Sequence, residues 1–107
     1  MKYHVLVVAE AEEDIFDTYR YVLRTDGRDR ADYVLQKLQE TCESLTEMPR
    51  RGHNSPELEH VGLQGFREIH FKPYRVIYQI VGRKVYIHCV LDGRRAIQEV
   101  LERRLLR

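Results

Sequence analysis

With 107 residues, 43% of them hydrophobic, the chain has material for one modest core and not for two domains. Its 18 Lys and Arg against 17 Asp and Glu give a formal charge of +1, but residues 9–48 hold eleven acids and five bases (net −6), whereas residues 49–107 hold twelve bases and six acids (net +6). The near-neutral total therefore excludes neither an anionic target nor a basic partner, since an approaching ligand feels the local field.

Residues 3–8, Tyr-His-Val-Leu-Val-Val, are short and β-branched and predict a first strand. The period then changes to that of a helix over 11–25, where Ile15, Tyr19, Val22 and Leu23 share one side and Glu12, Glu13 and Asp14 crowd the electropositive first turn. Asp26-Gly27 ends it. Asp29 is placed to cap a second helix, in which Ala31, Val34, Leu35, Leu38, Cys42 and Leu45 keep helical spacing to about Glu47, and Pro49 stops it. So short a connection makes the two helices an antiparallel hairpin. Residues 49–65 hold two of the three prolines and three of the six glycines without any period, and predict a loop. Three strands follow, Phe66–Phe71, Tyr74–Val81 and Val85–Leu91, turning at Lys72-Pro73 and Gly82-Arg83 as a meander. After Asp92-Gly93, Ile97, Val100, Leu101 and Leu105 line one side of a terminal helix.

The order β-α-α-β-β-β-α predicts an α+β two-layer sandwich, with the helical hairpin packed on a mostly antiparallel four-stranded sheet whose other face is open unless something covers it. The longest apolar run, Val5–Ala9, is far short of the roughly 20 residues that span a bilayer, and no cleavable apolar leader follows Met1; a cytoplasmic protein without membrane contact is expected. Cys42 and Cys89 lie in apolar segments with no CxxC and no histidine at ligand spacing, so free buried thiols are expected.

Alternation sorts the sheet residues by face. Val76, Tyr78, Ile80, Val85, Ile87 and Cys89 form the apolar side, with Ile69 and Phe71. The opposite side would collect Glu68, His70, Arg75, Gln79, Lys84, Tyr86 and His88, with Arg94 and Arg95 just beyond the last strand. Such a surface suits a phosphate backbone, although on composition alone plain solvation is the leading reading. Arg67 has core-side parity, which requires that it precede the regular pleat, follow a bulge or serve a structural purpose. His53 and His60 have no His or Cys partner at i+3 or i+4, so no metal site is expected, and His4 is most simply a strand residue. His70 and His88 are of the right type for acid–base work near neutral pH. No Ser-His-Asp order, GxGxxG, P-loop or HExxH occurs. Cleavage of RNA by its own 2′-OH needs cations at the dianionic phosphorane, which guanidinium forks supply, and Arg75 and Arg95 are the candidates.

The segments Ala9-Glu10-Ala11-Glu12-Glu13-Asp14-Ile15, Pro49-x-x-Gly52-x-x-x-Pro56-Glu57-Leu58, Tyr74-Arg75-Val76-Ile77-Tyr78 and Val90-Leu91-Asp92-Gly93-Arg94-Arg95 together resemble the RelE/ParE superfamily of toxins from bacterial type II toxin–antitoxin modules. The resemblance implies a toxin that inhibits growth and a cognate antitoxin that wraps it, and it implies one of two targets. RelE-like members cut ribosome-bound mRNA as metal-independent endoribonucleases; ParE-like members inhibit DNA gyrase. The RelE pattern, carried over, puts the catalytic positions on Arg67, Arg75 and Arg95, with His70 and His88 as substitutes for an aromatic hydroxyl whose position falls on Leu101. Leu101 has no proton to give, and the two ends of the chain look more like ParE members, so gyrase inhibition is favoured; at Asp92 the sequence departs from ParE relatives, which often have His. Arg75, Tyr86, Arg94 and Arg95 are the expected target contacts. Ile97, Val100, Leu101 and Leu105 are expected either to meet, or be displaced by, an antitoxin segment or simply to pack the terminal helix. Neither a cofactor nor a small-molecule substrate is implied; a binding module or inactive relative is the remaining alternative.

Overall fold

The computed structural model describes residues 2–94 and 97–105, the side chain of Ile97 excepted. Strand β1 (His4–Val7) leads into helix α1 (Ala9–Asp26), followed by α2 (Arg28–Glu43) and two single 3₁₀ turns, Ser44–Thr46 and Pro49–Arg51. Then come β2 (His53–Asn54), α3 (Pro56–His60), β3 (Phe66–Phe71), β4 (Tyr74–Val81), β5 (Lys84–Asp92) and α4 (Ile97–Leu105). One sheet results, in the order β1-β5-β4-β3-β2, with β1 parallel to β5 and every other pair antiparallel. The α+β class and the hairpin on a mostly antiparallel sheet are as expected, but the sheet has five strands. The additional strand is a two-residue pairing, His53 opposite Glu68 and Asn54 opposite Arg67, inside the segment expected to be loop. Two residues carry no readable period, and neither does the five-residue α3 that follows.

Gly27 joins the two long helices. Its φ of 93° lies where a Cβ is disfavoured, its N–H reaches Leu23 O at 3.3 Å, and its carbonyl receives Ala31 N–H at 3.1 Å, so one residue ends α1 and begins α2. Asp29 is consequently not a cap; it sits in the first turn of α2, where its charge meets the positive end of the dipole. Ala11, Val22, Ala31, Val34 and Leu38 are buried beneath the hairpin against Ile69, Val76, Tyr78, Val85 and Ile87 of the sheet. Each fully buried branched side chain contributes roughly 1.5–3 kcal/mol to holding the layers together.

The other sheet face is not open. Leu58 of α3 and Val100 and Leu101 of α4 close over Ile77, Cys89 and Leu91 to form a second core. This corrects the placement of Cys89. Pairing of β4 with β5 slips by one residue between Ile77 and Tyr78, so that Ile77 faces Cys89 while Tyr78 faces Ile87, and His88 is the extra residue of a bulge. Past the bulge the alternation inverts: Val90 joins the core under the hairpin, whereas Cys89 and Leu91 turn to the second face. Both cysteines are free and buried, as expected. Among the described residues no helix is long and apolar enough to cross a membrane.

Candidate functional site

On the second face, at the β3–β4 end, Arg75 lies between two carboxylates. Its Nη1 and Nη2 donate to Glu57 Oε2 and Oε1, both at 2.7 Å, and Nη2 also donates to Glu68 Oε2 at 2.5 Å. Glu57 comes from α3 and Glu68 from β3, so the arginine welds the short helix to the sheet. The three side chains are 14%, 26% and 4% exposed, which leaves little guanidinium surface for an incoming phosphate. The carboxylate bonds keep Arg75 charged at every accessible pH and hold Glu57 below the ordinary glutamate range. Gly93 passes over the stem of this arginine: a Cβ there would meet Arg75 Cδ at 3.0 Å and Pro73 O at 3.1 Å, and Gly93 N–H is bonded to Pro73 O at 2.7 Å.

Arg67 has the core-side parity that the sequence indicates, and its purpose is structural. Nη1 donates to Gly52 O at 2.8 Å and Arg50 O at 3.4 Å. Beside it the buried Tyr78 hydroxyl donates to Pro49 O at 2.6 Å and accepts from Gly52 N–H at 3.1 Å. Gly52 must be glycine, because a Cβ would also stand 2.7 Å from Glu68 O. The Pro49-x-x-Gly52 spacing therefore encodes a loop clamped by one arginine and one tyrosine of the sheet.

A second clamp joins the start of the chain to α4. Asp14, 6% exposed, receives Arg104 Nη1 and Nη2 at 2.6 Å each, and its Oδ2 also accepts Val90 N–H, just beyond the bulge, at 3.0 Å. Val100 and Leu101 are buried and Leu105 half-buried, so the apolar side of α4 packs against the sheet. Arg95 and the side chain of Ile97 lie outside the described residues.

The other expected site residues are dispersed. Tyr86, half-buried, pairs with Gln79 and Leu6 near the start of β5, whereas Arg94 lies just beyond its end, roughly 20 Å along the strand. Arg94 is exposed and paired in a fork with Asp92, Nε to Oδ1 at 3.0 Å and Nη2 to Oδ2 at 2.6 Å. His88 is half-buried edge-on to Phe66, ring centroids 5.5 Å apart, and its Nε2 has no hydrogen-bond partner among the described residues. His70 Nε2 donates to Glu68 Oε1 at 2.9 Å, and His53, which has no His or Cys at helical spacing, stands 3.3 Å from the same oxygen. Cross-strand register supplies the contact that helical spacing does not.

Burial lowers the pKa of His88, so the folded protein binds that proton less readily than the unfolded chain does. Stability from this group is then complete above the unfolded value of about 6.5 and is lost as pH falls from there through the folded value. Urea midpoints taken between pH 7.5 and 5 are expected to fall in the wild type and to fall less in His88→Phe. Parallel profiles would assign the change to other groups. Glu57, whose pKa is lowered by Arg75, adds its own loss only at more acid pH.

Residues 5–97 match the model of the ParE toxin of type II toxin–antitoxin system, parDE. Toxin ParE3 of Caulobacter vibrioides is 30% identical over 81 residues, which are 76% of this chain and 77% of that protein. In fold, the chain is similar to the chromosomal ParDE TA system from P. aeruginosa (TM-score 0.70, 16% identity, 83% of this chain and 94% of that one) and to the toxin–antitoxin complex RelBE2 from Mycobacterium tuberculosis (TM-score 0.63, 21% identity, 86% and 92%). A family match over nearly all the described elements, together with a relative of this identity and coverage, means that the chain belongs to the ParE toxins of type II toxin–antitoxin systems, within the RelE/ParE superfamily.

Proposed function

We propose that this toxin acts as a ParE-like inhibitor of DNA gyrase in the cytoplasm, silenced by a cognate protein antitoxin, and that it carries no nuclease chemistry. The observation that supports this reading is the engagement of those nuclease positions that lie among the described residues. Arg67 is bonded to loop carbonyls, Arg75 is enclosed by Glu57 and Glu68, His88 is half-buried with a lowered pKa, and Leu101, where an aromatic hydroxyl would stand, is inside the second core. Charge-stabilising groups for a phosphorane must be free to meet it. The ParE family match and the ParE3 relative point the same way. Arg94 and Arg95, beyond β5 and on the basic half of the chain, are the proposed target contacts. An antitoxin segment that engaged Val100 and Leu101 would have to displace α4, because that side is already used.

Purified protein added to a gyrase supercoiling assay and to programmed ribosomes separates the targets. Arrested supercoiling with cleaved gyrase–DNA complexes and intact message is the expected result, relieved by the antitoxin. Codon-positioned mRNA cuts would replace this reading with the RelE-like one, and unimpaired growth on induced expression would sink both in favour of an inactive binding module.

A further inference from the structure

At the β2 edge of the sheet, strand register gathers three side chains whose donors converge. His53 is paired opposite Glu68, and His70 follows Glu68 by two residues, hence on the same face. His53 Nε2 and His70 Nε2 lie 3.3 and 2.9 Å from the same atom, Glu68 Oε1; the rings meet edge-on with centroids 5.3 Å apart, and the three ligand atoms all lie within 4.8 Å of one another. We propose that His53, Glu68 and His70 form a binding site for a divalent transition-metal ion of the zinc class, with two imidazoles and one carboxylate as protein ligands and the remaining positions open to solvent.

The separations suit such an ion. Bonds of about 2.0–2.1 Å at tetrahedral angles put neighbouring donors roughly 3.3 Å apart, so only small side-chain rotations are needed. The donor set favours zinc, nickel or copper over magnesium or calcium, which prefer oxygen. The carboxylate is also positioned in advance: Glu68 is 4% exposed, and its other oxygen is held by Arg75. Arg75 is itself held by Glu57, so Glu57, Arg75 and Glu68 sum to one negative charge, and a cation arriving there is attracted. His53 and His70 side chains are 61% and 36% exposed, which provides the way in. The thiols do not compete, because Cys42 and Cys89 are buried, with burial pushing them up to about 11 and about 12. A bound ion would tie β2, and through it the Pro49–Gly52 loop, to β3.

The test uses the untagged full chain, stripped with chelator, and titrates it with Co²⁺ followed by displacement with Zn²⁺. A saturable d–d spectrum at one equivalent without thiolate charge-transfer bands is expected, with binding weakened at least ~10-fold in His53→Gln and in His70→Gln. Both positions face solvent, and circular dichroism and melting of each variant at wild-type values are expected to accompany the loss. His60→Gln, in the neighbouring α3, is expected to bind as the wild type does. The proposal is overturned by an absence of saturable Co²⁺ or Zn²⁺ binding, by wild-type affinity in the His53 and His70 variants, or by equal weakening in His60→Gln.

Discussion

Arg75→Ala is expected to destabilise the fold by about 3–5 kcal/mol, a large part of the 5–15 kcal/mol that hold a domain together. The loss comes less from the missing attraction than from what stays behind. Glu68 is buried with its Oε2 aimed at an empty place, and Glu57 loses the bidentate contact that holds α3 on the sheet. Combining Arg75→Ala with Glu68→Gln should therefore recover much of the stability, because the neutral amide no longer strands a charge. Urea unfolding of the wild type, both single variants and the double variant measures the coupling. The result matters for function, because loss of toxicity in Arg75→Ala alone does not identify a catalytic arginine. If Arg75→Ala unfolds at the wild-type midpoint yet is non-toxic, the arginine serves the target and not the fold.

Asp14→Ala is expected to cost a similar amount, about 3–5 kcal/mol, and to act at a distance from the substitution in sequence. Arg104 loses both of its 2.6 Å bonds and Val90 N–H loses its acceptor at the β5 bulge. The burden falls on α4, whose Val100 and Leu101 cover Ile77, Cys89 and Leu91. Amide hydrogen exchange should accordingly rise first in α4 and around Val90, before the hairpin. Asp14→Asn, which retains an acceptor for Val90 without the charge, is expected to fall between the two. Uniform exchange across the molecule would show that Asp14 supports the whole domain and not the attachment of α4.

Much of this architecture was legible because the long elements bury one side: Ile15, Tyr19 and Val22 in α1, Ala31, Val34 and Leu38 in α2, and the alternating residues of β3 and β4. Three things were not. The bulge at His88 is a matter of pairing and leaves no mark in periodicity, so alternation carried Cys89 to the wrong side. The two-residue β2 carries no period of its own and follows a loop that Arg67 and Tyr78 clamp from the sheet. The closed second face was legible only in part, since the apolar side of α4 was visible but what it covers depends on the bulge. Site chemistry was legible at the level of residue type alone. Arg75 and His70 were found, yet their neighbours Glu57, Glu68 and His53 come from α3, β3 and β2, and only the tertiary structure brings them together.

The clamp between Asp14 and Arg104 spans 90 positions of the chain, and β1 likewise waits for β5 before it has any strand to pair with. Contacts of such long separation are the slow ones to form, and during synthesis the first waits for α4 and the second for β5. Until α4 has left the ribosome, Ile77, Cys89 and Leu91 have only Leu58 of α3 as cover, and Asp14 lacks Arg104.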